Sequence, residues 1–418
     1  VLRRIGTQTR LGSRSRGTRA GIGDVLLGVQ VGVATLVMML AILLVQSYRQ
    51  VASVDPGFEP ESLYALAVEP PGPAHADGQS AQPIINTYTA MLESLARTPG
   101  VANAGMVSYM PLAPGGLGSP YRSAGEAIDS GKPPDLASVR NVSEDYFQTM
   151  GITLIAGRGL RSTDERGSLR VGLINRALAD DIRGKLPGVR SVRELEMRYG
   201  DGSSWFTIVG VVESVRQTDL RKSPLPEVYL PYRQTLWQND AYLTVRLHPE
   251  ANVSAEALRQ VVHAVDPRIL IGKHGPGNAI LDDNQVGSQA LASAFVLFAL
   301  LTLMLAVTGV YAVTHSMIRQ RRFEFGVRLA VGATHASLKR MALLRTLKPC
   351  LVGMLFALVA VRFWFAALLE PALYETDIHN LPVRAFVLIS LLFATGLAAY
   401  WPARNVARTE PLEALRDH

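Results

Sequence analysis

Four long apolar stretches punctuate the chain, and between the first two the texture changes to short alternating runs. Val25–Val45 (VLLGVQVGVATLVMMLAILLV) carries no charge and only Gln30 as a strongly polar residue. Ala290–Val313 is also uncharged, and its apolar residues surround a helix instead of marking one face. Cys350–Leu369 is long and apolar but holds Arg362, and Pro382–Trp401 has Arg384 near its start. About 20 mainly apolar residues cross a hydrocarbon core of roughly 30 Å as a helix. Each stretch therefore predicts a membrane span, and with their flanks the spans fall at 25–45, 290–318, 341–369 and 383–402. The first run is longer than the roughly 7–15 apolar residues of a signal peptide, and the following QSYRQVASVDPG offers no small-x-small cleavage site. A retained anchor is expected.

Residues 46–289 read as a mixed α and β domain. Strand patterns fall at Leu63–Val68, Val101–Val107, Val171–Ile174, Phe206–Val212, Val228–Leu230 and Tyr242–Leu247. Helical periodicity falls at Ile84–Ala96, Ser143–Met150, Asn175–Ile182 and Ser254–Val265. Turn residues cluster at Pro111, Pro114, Gly115-Gly116, Pro120, Gly131 and Pro133-Pro134 and predict a boundary between two lobes. The second lobe is expected at about 138–222, threaded into a first lobe that resumes afterwards. The fold class is thus an α-helical membrane protein with four transmembrane helices and a large α+β extracytoplasmic domain, a split lobe with an inserted second lobe, between helices 1 and 2.

Charge turns the spans into a topology. The chain of 418 residues has 42 Lys and Arg against 35 Asp and Glu, a formal net charge of +7. Such a balance invites a nucleic-acid reading, but the positive mean hydropathy and low charge density point to apolar tracts kept from water. Residues 1–24 hold Arg3, Arg4, Arg10, Arg14, Arg16 and Arg19 against Asp24, and residues 319–340 hold Arg319, Arg321, Arg322, Arg328, Lys339 and Arg340 against Glu324. Short cytoplasmic segments carry excess Lys and Arg, so both blocks are expected inside, with the tail 403–418. The 370–382 loop, with Glu370, Glu375 and Asp377 and no Lys or Arg, is expected outside. The 46–289 domain, with 27 acidic against 23 basic residues, also falls outside. The excess charge is a topology signal, and no nucleic-acid partner is expected.

Enzymatic constellations are missing from the sequence. Neither a G-x-S-x-G elbow nor an H-E-x-x-H zinc helix occurs, and the eight histidines are scattered. The pairs Asp180-Asp181 and Asp282-Asp283 read as solvated surface, because adjacent helical residues point apart. Cys350 is the single cysteine, which excludes an intrachain disulfide and any zinc site needing two. A G-x-x-x-x-G-K-[ST] loop is absent too, so nucleotide-driven work by that device needs a separate subunit. Catalytic residues, metal sites and cofactors are therefore expected to be none in this chain.

The most informative stretch is RQRRFEFGVRLAVGATHASLKR, residues 319–340. Phe323, Val327, Ala330, Val331, Thr334 and Leu338 recur at helical spacing and predict an apolar face beside a basic one, the pattern of a helix on anionic headgroups. Two glycines, Gly326 and Gly332, interrupt it. Glycine costs roughly 1 kcal/mol in a helix relative to alanine, so either a close backbone approach or a bend into a second short helix is expected.

Residues 324–333 also carry an E-x-G-x-R-x-x-x-G-A pattern that resembles the loop after the second span in MacB/FtsX-like permeases of ABC transporters. Further signposts of similar order are Asp55-Pro56-Gly57-Phe58, Pro99-Gly100-Val101, Tyr146-Phe147 with Met150-Gly151-Ile152, Ala156-Gly157-Arg158, Val209–Val212 and Val228–Pro231. The tail Pro402-Ala403-Arg404 through Ala414-Leu415-Arg416 also resembles the family's, with Asn405 and Glu410 as mild departures. The resemblance covers nearly the whole chain.

This resemblance implies a porter-like outer lobe with a second lobe inserted, a bundle that pairs with a second permease core as homo- or heterodimer, and a separate ABC ATPase subunit that binds the ATP. It implies that Glu324, Gly326, Arg328, Gly332 and Ala333 contact that ATPase, with the glycines permitting close packing and Glu324 and Arg328 pairing within or across the contact. A bacterial inner-membrane location follows, with a periplasmic adaptor or outer-membrane channel as further partners. Mechanical transmission of ATP-driven motion for export or extraction is the implied function. An FtsX-like regulatory transmitter controlling a partner such as a cell-wall hydrolase is the alternative. The opening Val fits a non-standard start or a piece of a longer protein, such as one half of a duplicated-permease chain.

Overall fold

The first apolar stretch lies in one long helix, α1 (Leu11–Ala52), and short strands begin soon after it. The computed structural model describes residues 11–72, 81–113, 118–123, 135–186, 196–199, 205–365 and 381–405. The chain divides into two compact units, residues 54–286 and residues 1–53 with 287–418. The turn cluster at 114–117 and 131–134, most of the 370–382 loop and the tail beyond 405 lie outside the described residues.

In the 54–286 unit, β1 (Leu63–Glu69), α2 (Gln82–Ala96) and β2 (Val101–Val107) form one β-α-β crossover. The chain then makes β3 (Gly118–Ser123), β4 (Leu136–Val142), α3 (Tyr146–Met150), β5 (Leu154–Gly157), β6 (Val171–Asn175) and α4 (Arg176–Lys185). It continues through β7 (Glu196–Tyr199), β8 (Phe206–Val212) and β9 (Glu227–Pro231). A second crossover comes from β10 (Ala241–Leu247), α5 (Ala255–Val265) and β11 (Leu270–Pro276). The two crossovers interleave in one antiparallel sheet, β11-β1-β10-β2, the split β-α-β arrangement. Both crossover helices cover one face. Leu66, Val68, Met106, Leu243 and Val245 from the strands meet Tyr88, Met91 and Leu95 of α2 and Leu258 and Val262 of α5. Ser254 caps α5 by accepting the Ala257 N–H at 3.2 Å.

While Tyr232 and Leu236 pack into the core of the first lobe, most of the chain between β2 and β10 forms the inserted lobe. Six of its strands close on themselves in the order β4-β3-β7-β8-β6-β9 and back to β4, with β5 attached to β8. Closure removes the exposed edges that a sheet of this size would otherwise present. Its core gathers Val139, Ile174, Leu178, Ile182, Phe206, Ile208, Val211 and Val228. The strand β4, absent from the expected elements, holds Arg140 and Asn141, both buried. Polar residues in mid-strand hide it from a hydrophobicity pattern, and the Asn141 Nδ2 donates to the Thr235 carbonyl. Arg140 Nε donates to Glu227 Oε1 at 2.5 Å on the neighbouring parallel strand β9, and its Nη1 donates to the Tyr109 carbonyl. The Tyr229 hydroxyl donates to Glu227 Oε2 at 2.5 Å. Burial opposes the Arg140 charge, but the Glu227 carboxylate and its hydrogen bond outweigh this and raise the guanidinium pKa. Burial, then Glu227, pushes the Tyr229 phenol well above its usual range.

The second unit is helical. α6 (Gly277–Gln320), α7 (Arg322–Ala330), α8 (His335–Ala360), a π-helical turn at Val361–Phe365 and α9 (Leu381–Asn405) complete the chain order. Among the described residues, four helical segments are long and apolar enough to cross a membrane: Gly23–Ala52, Gln289–Gln320, His335–Phe363 and Leu381–Arg404. Their shared core joins Leu27, Val31 and Met39 to Ala306, Val310, Met354, Val387 and Leu391. α6 starts well before the apolar run at 290, because its polar first turns, including Asp282 and Asp283, are helical as well. At 44 residues it is about 66 Å long at 1.5 Å per residue, twice the hydrocarbon core. Arg362 lies in the π-helical turn with its guanidinium 5.5 Å from the Phe363 ring centroid.

Candidate functional site

Residues 319–340 fold as helix, turn and helix. α7 ends in a paired cap: the Gly332 N–H donates to the Leu329 carbonyl at 3.0 Å and the Ala333 N–H to the Arg328 carbonyl at 2.9 Å. This is the Schellman pattern, which needs a left-handed residue just past the helix. Gly332 supplies it with φ +96°. A Cβ at Gly332 would meet nothing within 4 Å. Backbone conformation, and not crowding within this chain, calls for glycine there, so of the two readings open from the sequence the bend holds for Gly332. Thr334 then caps α8, its side chain accepting the Ser337 N–H at 3.3 Å.

The turn divides the expected apolar face in two. Leu338 turns inward and packs with Phe325, the two being 1% and 5% exposed, beside Ile318 and Leu329. Val327 and Val331 point outward, at 41% and 84% exposure. Four residues apart, they form an apolar ridge ending at the exposed Gly332. The side chains of Phe323 and Ala330 lie outside the described ones.

The other expected residues fall around this ridge. Glu324 Oε1 lies 2.8 Å from Arg328 Nη2, an i, i+4 pair within α7, and Glu324 Oε2 lies 3.4 Å from Arg321 Nη1. Arg328 Nη1 also reaches the Met341 sulfur on α8 at 2.9 Å. Half-exposed pairs of this kind contribute less than about 1 kcal/mol, so they orient the surface more than they hold the fold. Gly326 is buried in mid-helix, and Ala333 is half-buried in the turn. Four of the five expected residues thus surround one cap, while Gly326 faces inward.

Behind this surface the bundle is drawn tight by glycines. Gly28 and Gly32 on α1 meet Pro349 and Gly353 on α8. A Cβ on Gly353 would overlap the Gly28 carbonyl oxygen, and one on Gly32 would stand 3.0 Å from the Gly353 carbonyl oxygen. Small residues four apart let helix backbones approach closely in a membrane. The Gly28-x-x-x-Gly32 spacing is the sequence signal for this crossing, and a reading of the first span by hydropathy alone passes over it. Gln30 docks on the other long helix, donating from Nε2 to the Leu305 carbonyl at 2.5 Å in space left by Gly309. Thr314 and Thr346 link α6 to α8 through their hydroxyls at 3.3 Å. Among the described residues, no group of three or more His, Cys, Asp or Glu converges as a metal site would.

Comparison with known proteins bears on both units. Residues 25–264 match the family model of the MacB-like periplasmic core domain, and residues 296–411 match that of the FtsX-like permease C-terminal domain. The chain is 25% identical over 404 residues to the macrolide export ATP-binding/permease protein MacB 1/2 of Paracoccus denitrificans, covering 94% of this chain and 55% of that one. It is 23% identical over 292 residues to the probable syringafactin export ATP-binding/permease protein SyfD of Pseudomonas syringae pv. tomato, covering 67% of this chain and 42% of that one. The chain spans about half the length of the curated relatives it matches. Among solved structures, the periplasmic region of MacB from Actinobacillus actinomycetemcomitans matches 56% of this chain and 97% of its own, at 13% identity and a TM-score of 0.34.

Proposed function

Because the chain belongs to the MacB/FtsX-like permease family of ABC transporters, we propose that it is the membrane subunit through which a separate ATPase drives export or extraction of a substrate. The ATPase binds the ATP, and the 319–340 helix-turn-helix is its docking surface. The observation that carries this reading is the uncovered Val327 and Val331 ridge, held beside Gly332 by a cap that fixes the angle between α7 and α8. Burying a valine contributes about 1.5–3 kcal/mol, enough for two of them to anchor a contact.

In this reading the bundle lies in a bacterial inner membrane with both termini cytoplasmic, as the arginines flanking the first span and the 319–340 block suggest. The 54–286 unit is then periplasmic. A second permease core completes a dimer across the exposed apolar faces, and a periplasmic adaptor or outer-membrane channel receives the cargo. α1 and α6 are the transmitting elements, since both exceed the membrane thickness and are joined by Gln30. The relatives named as exporters support transport over a purely regulatory role.

The test is co-purification of the ATPase with the full chain and its Val331→Asp variant. A charged group at the ridge centre should weaken association at least about tenfold and abolish stimulation of ATP hydrolysis. Unchanged binding and stimulation would remove the docking assignment.

A further inference from the structure

The 54–286 unit contains an open cavity of about 650 Å³ that the transmission reading does not use. Its floor is the sheet face opposite α2 and α5. Small residues line that face and leave room above it: Ala65 on β1, Gly275 on β11 and Ala279 on the first turns of α6. Met110 and Leu112 form the facing wall from the loop after β2. Leu112 adopts φ +62°, a left-handed conformation unusual for a branched residue, and its N–H donates to the Gln217 carbonyl at 2.7 Å. Strain of this kind persists only where the surroundings over-determine it, and it gathers at ligand sites.

Polarity is graded across the cavity. Ala65, Met110 and Leu112 are buried, Tyr242 and Ile280 are half-buried, and Lys273 and Asp283 stand exposed at the rim. The Lys273 ammonium pairs with Asp283 across β11 and α6. An ammonium has three donors, so its pair with Asp283 does not exhaust them, and Lys273 can also meet an acidic group of a ligand. The volume is that of a small-molecule site, and an apolar interior with a few polar groups at one end is how such sites orient a ligand.

We infer that this cavity binds a small amphipathic anion, its apolar body against Met110, Leu112 and Ile280 and its acidic group beside Lys273. The site goes beyond ATPase docking and does not depend on it. Because Ala279, Ile280 and Asp283 belong to α6, an occupied site acts directly on the first turns of the helix that becomes the second span.

The test uses the full chain in detergent, titrated calorimetrically with naphthalene-2-sulfonate and, for comparison, with neutral naphthalene-2-methanol, each against a detergent blank. The sulfonate should bind saturably at one site per chain, about tenfold more tightly than the alcohol, as a charge-assisted contact predicts. Lys273→Ala should bring the two probes to equal affinity. Ala65→Phe and Ala279→Phe fill the cavity from different elements. Whichever of them keeps the parent melting temperature should lose the site. Absence of saturable binding, equal affinity for both probes in the parent, or retained sulfonate binding in a folded filled variant would overturn the assignment.

Discussion

Gly332 offers the sharpest test of how the 319–340 surface works, because conformation and volume predict different rank orders there. The residue sits at φ +96° with open space where a side chain would project. An L-residue in the left-handed region costs roughly 1–2 kcal/mol. Asparagine tolerates the region better than alanine, and a β-branched residue is worse than either. If the chain escapes the strain by opening the turn, it loses the Gly332 and Ala333 cap hydrogen bonds, each contributing about 0.5–1.5 kcal/mol. With tenfold per 1.4 kcal/mol, Gly332→Ala should weaken ATPase docking about 5- to 30-fold and Gly332→Val by more. Gly332→Asn should stay within about threefold of the parent. The assay is affinity of the detergent-purified chain for its ATPase by a surface-binding method, with stimulated ATP hydrolysis in nanodiscs as second readout. A ranking by side-chain size, with alanine mildest and asparagine worse, would refute the conformational reading and place Gly332 in direct contact with the partner.

Other outcomes rest on the remaining structure. Arg140→Met alone leaves the Glu227 carboxylate buried without its partner, and should lower stability by about 3–5 kcal/mol, whereas Arg140→Met with Glu227→Leu should recover most of it in thermal melts of the full chain. Gly353→Ala drives a methyl into the Gly28 carbonyl oxygen and should cost more than the about 1–3 kcal/mol of ordinary overpacking, seen as a lower melting temperature and poor membrane yield. For Asp164, burial raises the carboxyl pKa, but Arg158 at 2.8 and 3.0 Å and the Arg161 N–H at 2.9 Å outweigh it and hold the group below its ordinary 3.8. A depressed folded value means that this stabilisation is complete above pH 3.8 and fades as pH falls through the folded value. The acid limb of the stability curve should therefore be shallower in Asp164→Asn, measured by melting temperature against pH. In a Cys350→Ala background, an impermeant maleimide applied from outside should label Asn252→Cys and not Lys339→Cys, and the reverse pattern would invert the topology.

How much was legible in advance depended on how each element earns its stability. β2 and β8 occupy the expected Val101–Val107 and Phe206–Val212, because strands buried by apolar side chains advertise themselves. β4 and β11 were not visible. Arg140 and Asn141 in the first, and Gly272, Lys273 and His274 in the second, are polar or small. Their stability comes from neighbouring strands distant in sequence, β9 beside β4 and β1 beside β11. At the candidate site, the Glu324, Arg328 and Gly332 spacing was readable. The direction of Val327 and Val331 was not, since one helical period cannot register a left-handed turn that rotates α8 relative to α7.

The sequence by itself determined the class of molecule. Hydropathy over windows of span length is a local property, and so is the arginine count of a short loop, so the four spans and their expected orientation needed no coordinates. The family pattern was equally a matter of residue order. Only the tertiary structure decided that the inserted lobe closes into a six-strand ring, that Gly28 and Gly32 lie against Gly353, and that Gln30 finds the Leu305 carbonyl. These contacts join residues tens to hundreds of positions apart. Their free energy depends on two surfaces fitting to within a fraction of an ångström, and neither surface carries the shape of the other in its own sequence.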